Sequence, residues 1–433
     1  MRVSGEVRPP GDKSISHRAL LFAALADGIS RVRGILDSAD VRSTAGALRA
    51  LGVDVPPLAR DVVVKGVGLR GLRAPNTVLD CGNSGTSARL LAGVVAASSF
   101  AARFEGDASL SRRPMRRVAR PLEAMGARFE FERGDGLPMT VHGGQLRGIH
   151  WTSETSSAQV KSAILLAGVV AGVEVSVSEP RRSRDHTERM LAARGVAVEG
   201  SEGCVRVRRT EHLDARDTDV PSDPSSAAFF AALAALASAG ELTLRGVCVN
   251  PTRTGFFHVL REMGAIVDIA APREHGGEPV ADVRVRPAAL RSVVVGADRV
   301  PALIDELPLL ACVASRAEGE TRITGAGELR VKESDRIAAV VASLRAIGAT
   351  AEELSDGLVV QGSDRPLAGT VATHGDHRLA MAFAVLGALP GNTITVDDRA
   401  CVAVSFPNFW QELDRVRGGE RPVQPHARSR ENG

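Results

Sequence analysis

Apolar runs and polar openings alternate along this chain with a period of about 70 residues. A phrase of leucine, three residues, glycine and then a small or β-branched residue recurs at Leu48 to Val53, Leu122 to Ala127, Leu191 to Val196, Leu260 to Ala265 and Leu344 to Ala349. Each phrase predicts a helix that stops on a C′ glycine and a strand that follows it, as in Ala127-Arg128-Phe129-Glu130-Phe131 and Ala265-Ile266-Val267-Asp268-Ile269. Gly52, Gly126, Gly195, Gly264 and Gly348 are spaced by 74, 69, 69 and 84 residues, and a sixth helix end, near Trp410 to Leu413, lacks the glycine. Six repeated units are predicted.

A second helix is predicted once per unit, made of small apolar residues and opening on a polar phrase. The openings are Lys13-Ser14, Asn83-Ser84-Gly85-Thr86, Ser157-Ala158-Gln159, Ser222-Asp223-Pro224-Ser225-Ser226, Asp305-Glu306 and Gly375-Asp376-His377-Arg378. The runs behind them, such as Ala227 to Ala237 and Leu379 to Leu389, are apolar nearly all round, which predicts buried helices. Six such helices pointing their N-termini at one cleft would make it a strong anion trap. In the first opening, Gly11-Asp12-Lys13-Ser14-Ile15-Ser16-His17-Arg18 combines a turn, a serine able to cap and two cations around free N–H groups. Three units per domain with the cleft between the domains is the simplest partition.

Composition narrows the function classes. A chain of 433 residues exceeds what one core usually organises, so two domains are expected. With 44% hydrophobic and 24% charged residues and a net charge of +3, it is no polycation, and nucleic-acid binding gains no support. Cys81, Cys204, Cys248, Cys312 and Cys401 form no C-x-x-C pair and are odd in number, which argues against disulfides and structural zinc and for a reducing compartment. Neither a signal-peptide core nor a membrane-spanning run is present, so a cytoplasmic protein without a membrane partner is expected. His374 and His377 have the spacing of a metal pair but no evident third ligand, and no metal is expected.

Five motifs carry a family resemblance. Gly11-Asp12-Lys13-Ser14, Gly82-Asn83-Ser84-Gly85-Thr86, Ser157-Ala158-Gln159-Val160-Lys161, Lys332-Glu333-Ser334-Asp335-Arg336 and Gly375-Asp376-His377-Arg378 resemble, in order, the signatures of the 5-enolpyruvylshikimate-3-phosphate synthase family. The resemblance implies an α/β (α+β) fold of two domains, each of three βαβαββ repeats with buried parallel helices, an inside-out α/β barrel, joined by a double crossover hinge. Residues 10–219 would form one domain, residues 1–9 and 220–417 the other, and 418–433 a disordered tail. It also implies transfer of the enolpyruvyl group of phosphoenolpyruvate to the 5-hydroxyl of shikimate 3-phosphate with release of phosphate, in the shikimate pathway to chorismate and aromatic amino acids. These two small molecules are the expected partners, with no cofactor, no metal and a monomeric chain.

Carried over residue by residue, the resemblance implies that Lys13 touches both substrates and assists the departing phosphate, and that Ser14 and Arg18 hold the shikimate carboxylate. Asp305 would orient the ring hydroxyls and accept the 5-hydroxyl proton, Glu333 would protonate carbon, and Lys332 would bond the shikimate moiety beside it. Ser157 and Gln159 would bind the acceptor phosphate and ring, with Gln159 reaching the donor, and Arg184 would join them at the phosphate. Arg113, Arg336 and Arg378 would clamp phosphoenolpyruvate, and Gly85 would let the backbone approach it. Glyphosate inhibits much of the family at that donor site.

Each motif alone has an ordinary alternative: a capped surface helix at Lys13, or a solvated helix face at Lys332 to Arg336. The nearest rival, the UDP-N-acetylglucosamine enolpyruvyl transferase, carries a reactive cysteine in a loop over its site, and Ser109-Leu110-Ser111-Arg112-Arg113-Pro114 has none. A non-catalytic phosphate- or RNA-binding module would not need Asp305 and Glu333 beside the cations. Three departures stand out: Val404-Ser405 replaces a lysine that many relatives carry before Phe406-Pro407, Glu328 stands where relatives outside one subclass have asparagine, and those relatives have a tyrosine near Arg181.

Overall fold

The structure, a computed structural model, describes residues 1–201 and 203–418. Its twelve α-helices fall two to each predicted unit: α1 (Lys13–Leu25) and α2 (Ala39–Ala50), α3 (Gly85–Ala96) and α4 (Arg116–Met125), α5 (Ala158–Ala171) and α6 (His186–Ala192), α7 (Pro224–Ala235) and α8 (Gly255–Glu262), α9 (Leu307–Ala314) and α10 (Arg336–Ala346), α11 (His377–Gly387) and α12 (Phe409–Gly418). The first of each pair is the small-residue helix, and every residue of α7 and α9 is buried. Small residues also let these helices touch backbone to backbone: a methyl on Gly93 of α3 would lie 2.3 Å from the Ala163 carbonyl oxygen of α5. The second helix can be amphipathic, as in α4, where Val118, Ala119, Leu122 and Met125 are buried while Arg116 and Arg120 face water.

The five phrase glycines all have positive φ, from 83° at Gly195 to 123° at Gly126, the conformation that ends a helix at little cost only for glycine. Strands Arg128–Phe131, Val198–Ser201, Ile266–Ile269 and Thr350–Leu354 follow four of them closely. After Gly52 the expected immediate strand is missing and Asp61–Lys65 takes its place. Pro56-Pro57 intervenes there, and proline has no N–H for a ladder.

The helix openings are largely as the sequence predicts, with two corrections. Ser84, Ser157, Asp223 and Asp376 cap α3, α5, α7 and α11 through their side chains. The cap of α1 is Asp12, whose Oδ1 accepts from the Ile15 N–H at 2.9 Å, and Ser14 lies inside the helix. Asp305-Glu306 belongs to a 3-10 turn, Ile304–Glu306, and α9 starts only at Leu307. Asp305 therefore caps nothing.

Each unit supplies a small sheet, and two sheets borrow a strand across the sequence. Gly5–Val7 pairs in parallel with Leu242–Cys248 of the fourth unit, whereas Thr218–Asp219 pairs in parallel with Ile29–Arg33 of the first. One hydrophobic core gathers residues between Ile15 and Val220, with Cys248; the other gathers Val3, Val7 and residues between Ala227 and Val416. Between the cores the chain crosses twice. The crossings lie side by side, with the Asp12 N–H donating to Pro221 O at 2.7 Å and the Asp223 N–H to Pro10 O at 2.8 Å. The disordered tail expected from residue 418 lies outside the described residues except for Gly418, the last residue of α12.

Candidate active site

A cleft of about 350 Å³ opens between the two cores; α1, α3, α5 and α11 reach it with their first residues, and α7 and α9 through residues just before them. Its walls include Lys13 and Ser14 of α1, Gly85 and Thr86 of α3, Ala158 of α5 with its cap Ser157, Asp223 before α7, Asp305 before α9, and His377 and Arg378 of α11. The N–H groups and positive ends of four helices thus line the cleft, with those of α7 and α9 close behind it. Eight lysines and arginines line the cleft against six aspartates and glutamates, so the side chains reinforce the helices. The arrangement suits ligands carrying several negative charges.

Of the thirteen candidates, eleven line this cleft: Lys13, Ser14, Gly85, Arg113, Ser157, Gln159, Arg184, Asp305, Lys332, Glu333 and Arg378. Arg18 and Arg336 stand behind its wall. Arg18 is buried, donating to Thr187 Oγ1 and Ser162 Oγ at 2.7 Å each and to the Ser14 carbonyl at 3.0 Å, so it fastens α1 to α5 and α6. Arg336, 1% exposed, lies 2.8 Å from Asp376 Oδ2 and 2.7 Å from Glu333 Oε2.

The two candidate proton-transfer groups are embedded in cations. Asp305 lies 2.6 Å from Arg184, 3.3 Å from Arg336, and 3.6 Å from both Lys332 and Arg378. Burial alone would raise its carboxyl, but Arg378, Lys332, Arg184 and Arg336 hold it well below the ordinary range. Burial works against Glu333 in the same way and is outweighed by Arg336, Arg113 and Lys332. Arg113 reaches Glu333 from the other core at 3.4 Å. Any anion that takes these arginines for itself frees Glu333 to pick up a proton.

The loops at Ser157 and Arg184 are tied together by a buried carboxylate. Glu179 accepts from the Ser157 N–H at 3.0 Å and from the Ser183 hydroxyl at 2.7 Å, and it pairs with Lys161 at 2.9 Å. Gln159 is oriented at both ends: its Oε1 accepts from Arg89 Nη1 at 2.9 Å, and its Nε2 donates to Thr86 Oγ1 at 3.0 Å.

Further residues in and behind the wall shape the site, and of these Asp40, Arg89 and Arg117 escaped the sequence reading. Asp40, from the first turn of α2, pairs with Lys13 Nζ at 2.8 Å, and nothing local in its sequence marks it. His377 is buried, and burial together with Lys13 pushes its imidazole down to about 3, so it is neutral. Arg117 crosses the cleft to Glu328 at 2.9 Å, which shows where the departing glutamate goes. Arg89 lies one turn beyond Gly85, a spacing that places both on one helix face. No residue of the stretch Val404-Ser405 lines the cleft.

The model of the EPSP synthase family (3-phosphoshikimate 1-carboxyvinyltransferase) matches residues 1–413. The chain belongs to the EPSP synthase family. A 3-phosphoshikimate 1-carboxyvinyltransferase of Xanthomonas campestris pv. campestris (strain 8004) is 52% identical over 409 residues, 94% of this chain and 93% of that one. One from Xylella fastidiosa (strain Temecula1) is 50% identical over 417 residues, 96% of this chain and 91% of its own. The solved EPSP synthase of Acinetobacter baumannii superposes with a TM-score of 0.84 at 42% identity over 96% of both chains. An enolpyruvyl transferase of Streptomyces tendae shares the fold, with a TM-score of 0.76 at 20% identity over 96% of this chain and 95% of that one. Membership of the EPSP synthase family thus extends over both cores and includes all thirteen candidates.

Proposed function

We propose that the cleft joins the enolpyruvyl group of phosphoenolpyruvate to the 5-hydroxyl of shikimate 3-phosphate and releases phosphate. The observation that carries this reading is the meeting of the N-termini of α1, α3, α5 and α11 with two carboxylates that touch arginines of both cores. A module that only bound anions would gain nothing from carboxylates at its most cationic point. Protonating the donor's methylene carbon makes the neighbouring carbon electrophilic, and the acceptor oxygen attacks it as its own proton leaves. Loss of phosphate from that carbon and of a proton from the new methyl group then restores the enol.

The residues divide these tasks. Arg113, Arg336 and Arg378 receive the donor's phosphate and carboxylate, each charge-assisted contact being worth roughly 1.5 to 3 kcal/mol. In doing so Arg113 and Arg336 leave Glu333, whose proton affinity rises for its role as donor to carbon. Asp305, released from Arg184 when the acceptor phosphate takes that arginine, orients the ring hydroxyls and accepts the 5-hydroxyl proton, with Lys332 beside it. Ser14 and Arg18 serve the shikimate carboxylate, Arg18 by holding Ser14 in place. Ser157 and Gln159 receive the acceptor phosphate and ring, and Lys13 exchanges Asp40 for the phosphates. Gly85 gives the donor access to the backbone.

The reading treats residues 10–219 as one domain and 1–9 with 220–417 as the other, hinged at the paired crossings. It places a monomer in the cytoplasm, which five free cysteines support. Among the described residues no helix is long and apolar enough to cross a membrane. The deciding experiment is an assay of phosphate release: release that requires both shikimate 3-phosphate and phosphoenolpyruvate supports the reading, and none with both present overturns it.

A further inference from the structure

Arg253 sits where the chain crosses between the cores, with its side chain 2% exposed. Its Nη1 donates to Asp12 Oδ2 at 2.8 Å, and its Nη2 donates to Asp223 Oδ1 at 2.9 Å and to Ser225 Oγ at 3.1 Å. Those two carboxylates are the caps of α1 and α7. Asp223 has a second task, because its Oδ2 accepts the backbone N–H of Lys13 at 3.1 Å. The first turn of α1 is therefore gripped at two points, Ile15 by the side chain of Asp12 and Lys13 by Asp223 across the crossing. One guanidinium holds both grips.

The charges matter as much as the geometry. A capping carboxylate suits a helix, but it is an anion at the end that is to receive an anion. Two unpaired carboxylates at the N-termini of α1 and α7 would offset much of what those helices offer a phosphate. Arg253, a part of the cleft wall, cancels part of that charge. It is itself kept in place by His186, whose Nε2 is 3.2 Å from its Nη1 and whose Nδ1 lies 2.7 Å from Glu278 Oε1. Only a planar fork can serve Asp12 and Asp223 at once, so a lysine with the same charge cannot take over.

We propose that Arg253 is a positioning residue for Lys13: by clamping and neutralising the caps of α1 and α7, it fixes where the lysine meets its ligands. The proposal rests on the reading of the cleft given above and concerns a residue that reading does not use.

Calorimetric titration with shikimate 3-phosphate tests it on the full chain, comparing wild type, Arg253→Lys, Lys13→Met and the double variant. Arg253→Lys should weaken binding by about tenfold, and the double variant should bind no more weakly than Lys13→Met alone, because the arginine acts through the lysine. A merely structural arginine would give losses that multiply; that result, or wild-type affinity in Arg253→Lys, overturns the proposal. Should Arg253→Lys show no cooperative melt, Asp223→Glu replaces it, keeping the charge while displacing the carboxylate that holds the Lys13 N–H, and must show the same failure to multiply with Lys13→Met. Wild type that does not bind shikimate 3-phosphate overturns the reading of the cleft itself, which separates the two failures.

Discussion

Arg184 Nη2 lies 2.6 Å from Asp305 Oδ2, joining residues 121 apart in sequence and on opposite cores. Arg113–Glu333 at 3.4 Å and Arg117–Glu328 at 2.9 Å also span the cleft. Ion pairs thus join the two walls of the cleft, and two of these three use groups assigned to substrates. The most solvated of the three, Arg117–Glu328, is worth only about 0 to 1 kcal/mol, and all weaken as salt enters the cleft. Small-angle scattering should therefore show the radius of gyration of the free protein growing with salt. Shikimate 3-phosphate with an unreactive donor analogue should hold it small at the same salt. A radius that responds to neither counts against the two-domain clamp.

The carboxylates can be tested by removing charge and keeping shape. Asp305→Asn and Glu333→Gln should each lower kcat by roughly a hundredfold or more, the scale of general acid and base contributions, while changing KM far less. Both variants also release arginines, so neither should lose donor affinity. Intact turnover with a large loss of binding would make these residues positioning groups.

Buried neutral histidines set the acid limit of the fold. His17 is 1% exposed, with Nδ1 2.7 Å from Thr44 Oγ1, and burial pushes its imidazole down to about 3. The unfolded chain has an ordinary histidine near 6.5, so between these values the unfolded state binds more protons and stability falls as pH falls. Between pH 7 and pH 5 the loss from this residue is about 2 kcal/mol. His377, also at about 3, should add a similar amount. Denaturant midpoints at both pH values should show wild type losing more than His17→Asn; equal losses would mean that His17 is protonated in the folded state.

The repeats were legible because their signal is local: a helix stop at Gly126 or Gly264 and an all-apolar run at Ala227 to Ala237 need no partner to be recognised. Gly52 misled because Pro56-Pro57 delays its strand. The site was legible where function and backbone share a residue, as when Ser157 caps α5 or Gly85 opens α3. Asp40 and Arg117 were not, since their roles exist only in contacts with Lys13 and Glu328, created by the meeting of distant segments. Asp305 misled in a small way: Asp305-Glu306 reads as the opening of a helix, and the 3-10 turn there instead turns the Asp305 carboxylate to four cations.

Gly85 offers the last test. A methyl group there would lie 2.5 Å from Arg89 Nη1 and 3.4 Å from Arg113 Nη1. The backbone is not strained, since the residue opens α3 without a positive φ. The first effect of Gly85→Ala is therefore to push the far end of Arg89 away from the Gly85 carbonyl and from Gln159 Oε1, which it now reaches at 3.3 and 2.9 Å. The second is to crowd the ligand lying against Arg113. Glyphosate is longer than phosphoenolpyruvate and has less room to shift, so its inhibition constant should rise by a larger factor than the donor KM. The donor KM should also rise, by a factor of a few, because Gln159 loses its anchor. Arg89→Lys separates the two effects: it should raise the donor KM without the extra loss of inhibitor. Equal factors in Gly85→Ala would show that the methyl acts only through Arg89, and that Gly85 does not border the donor.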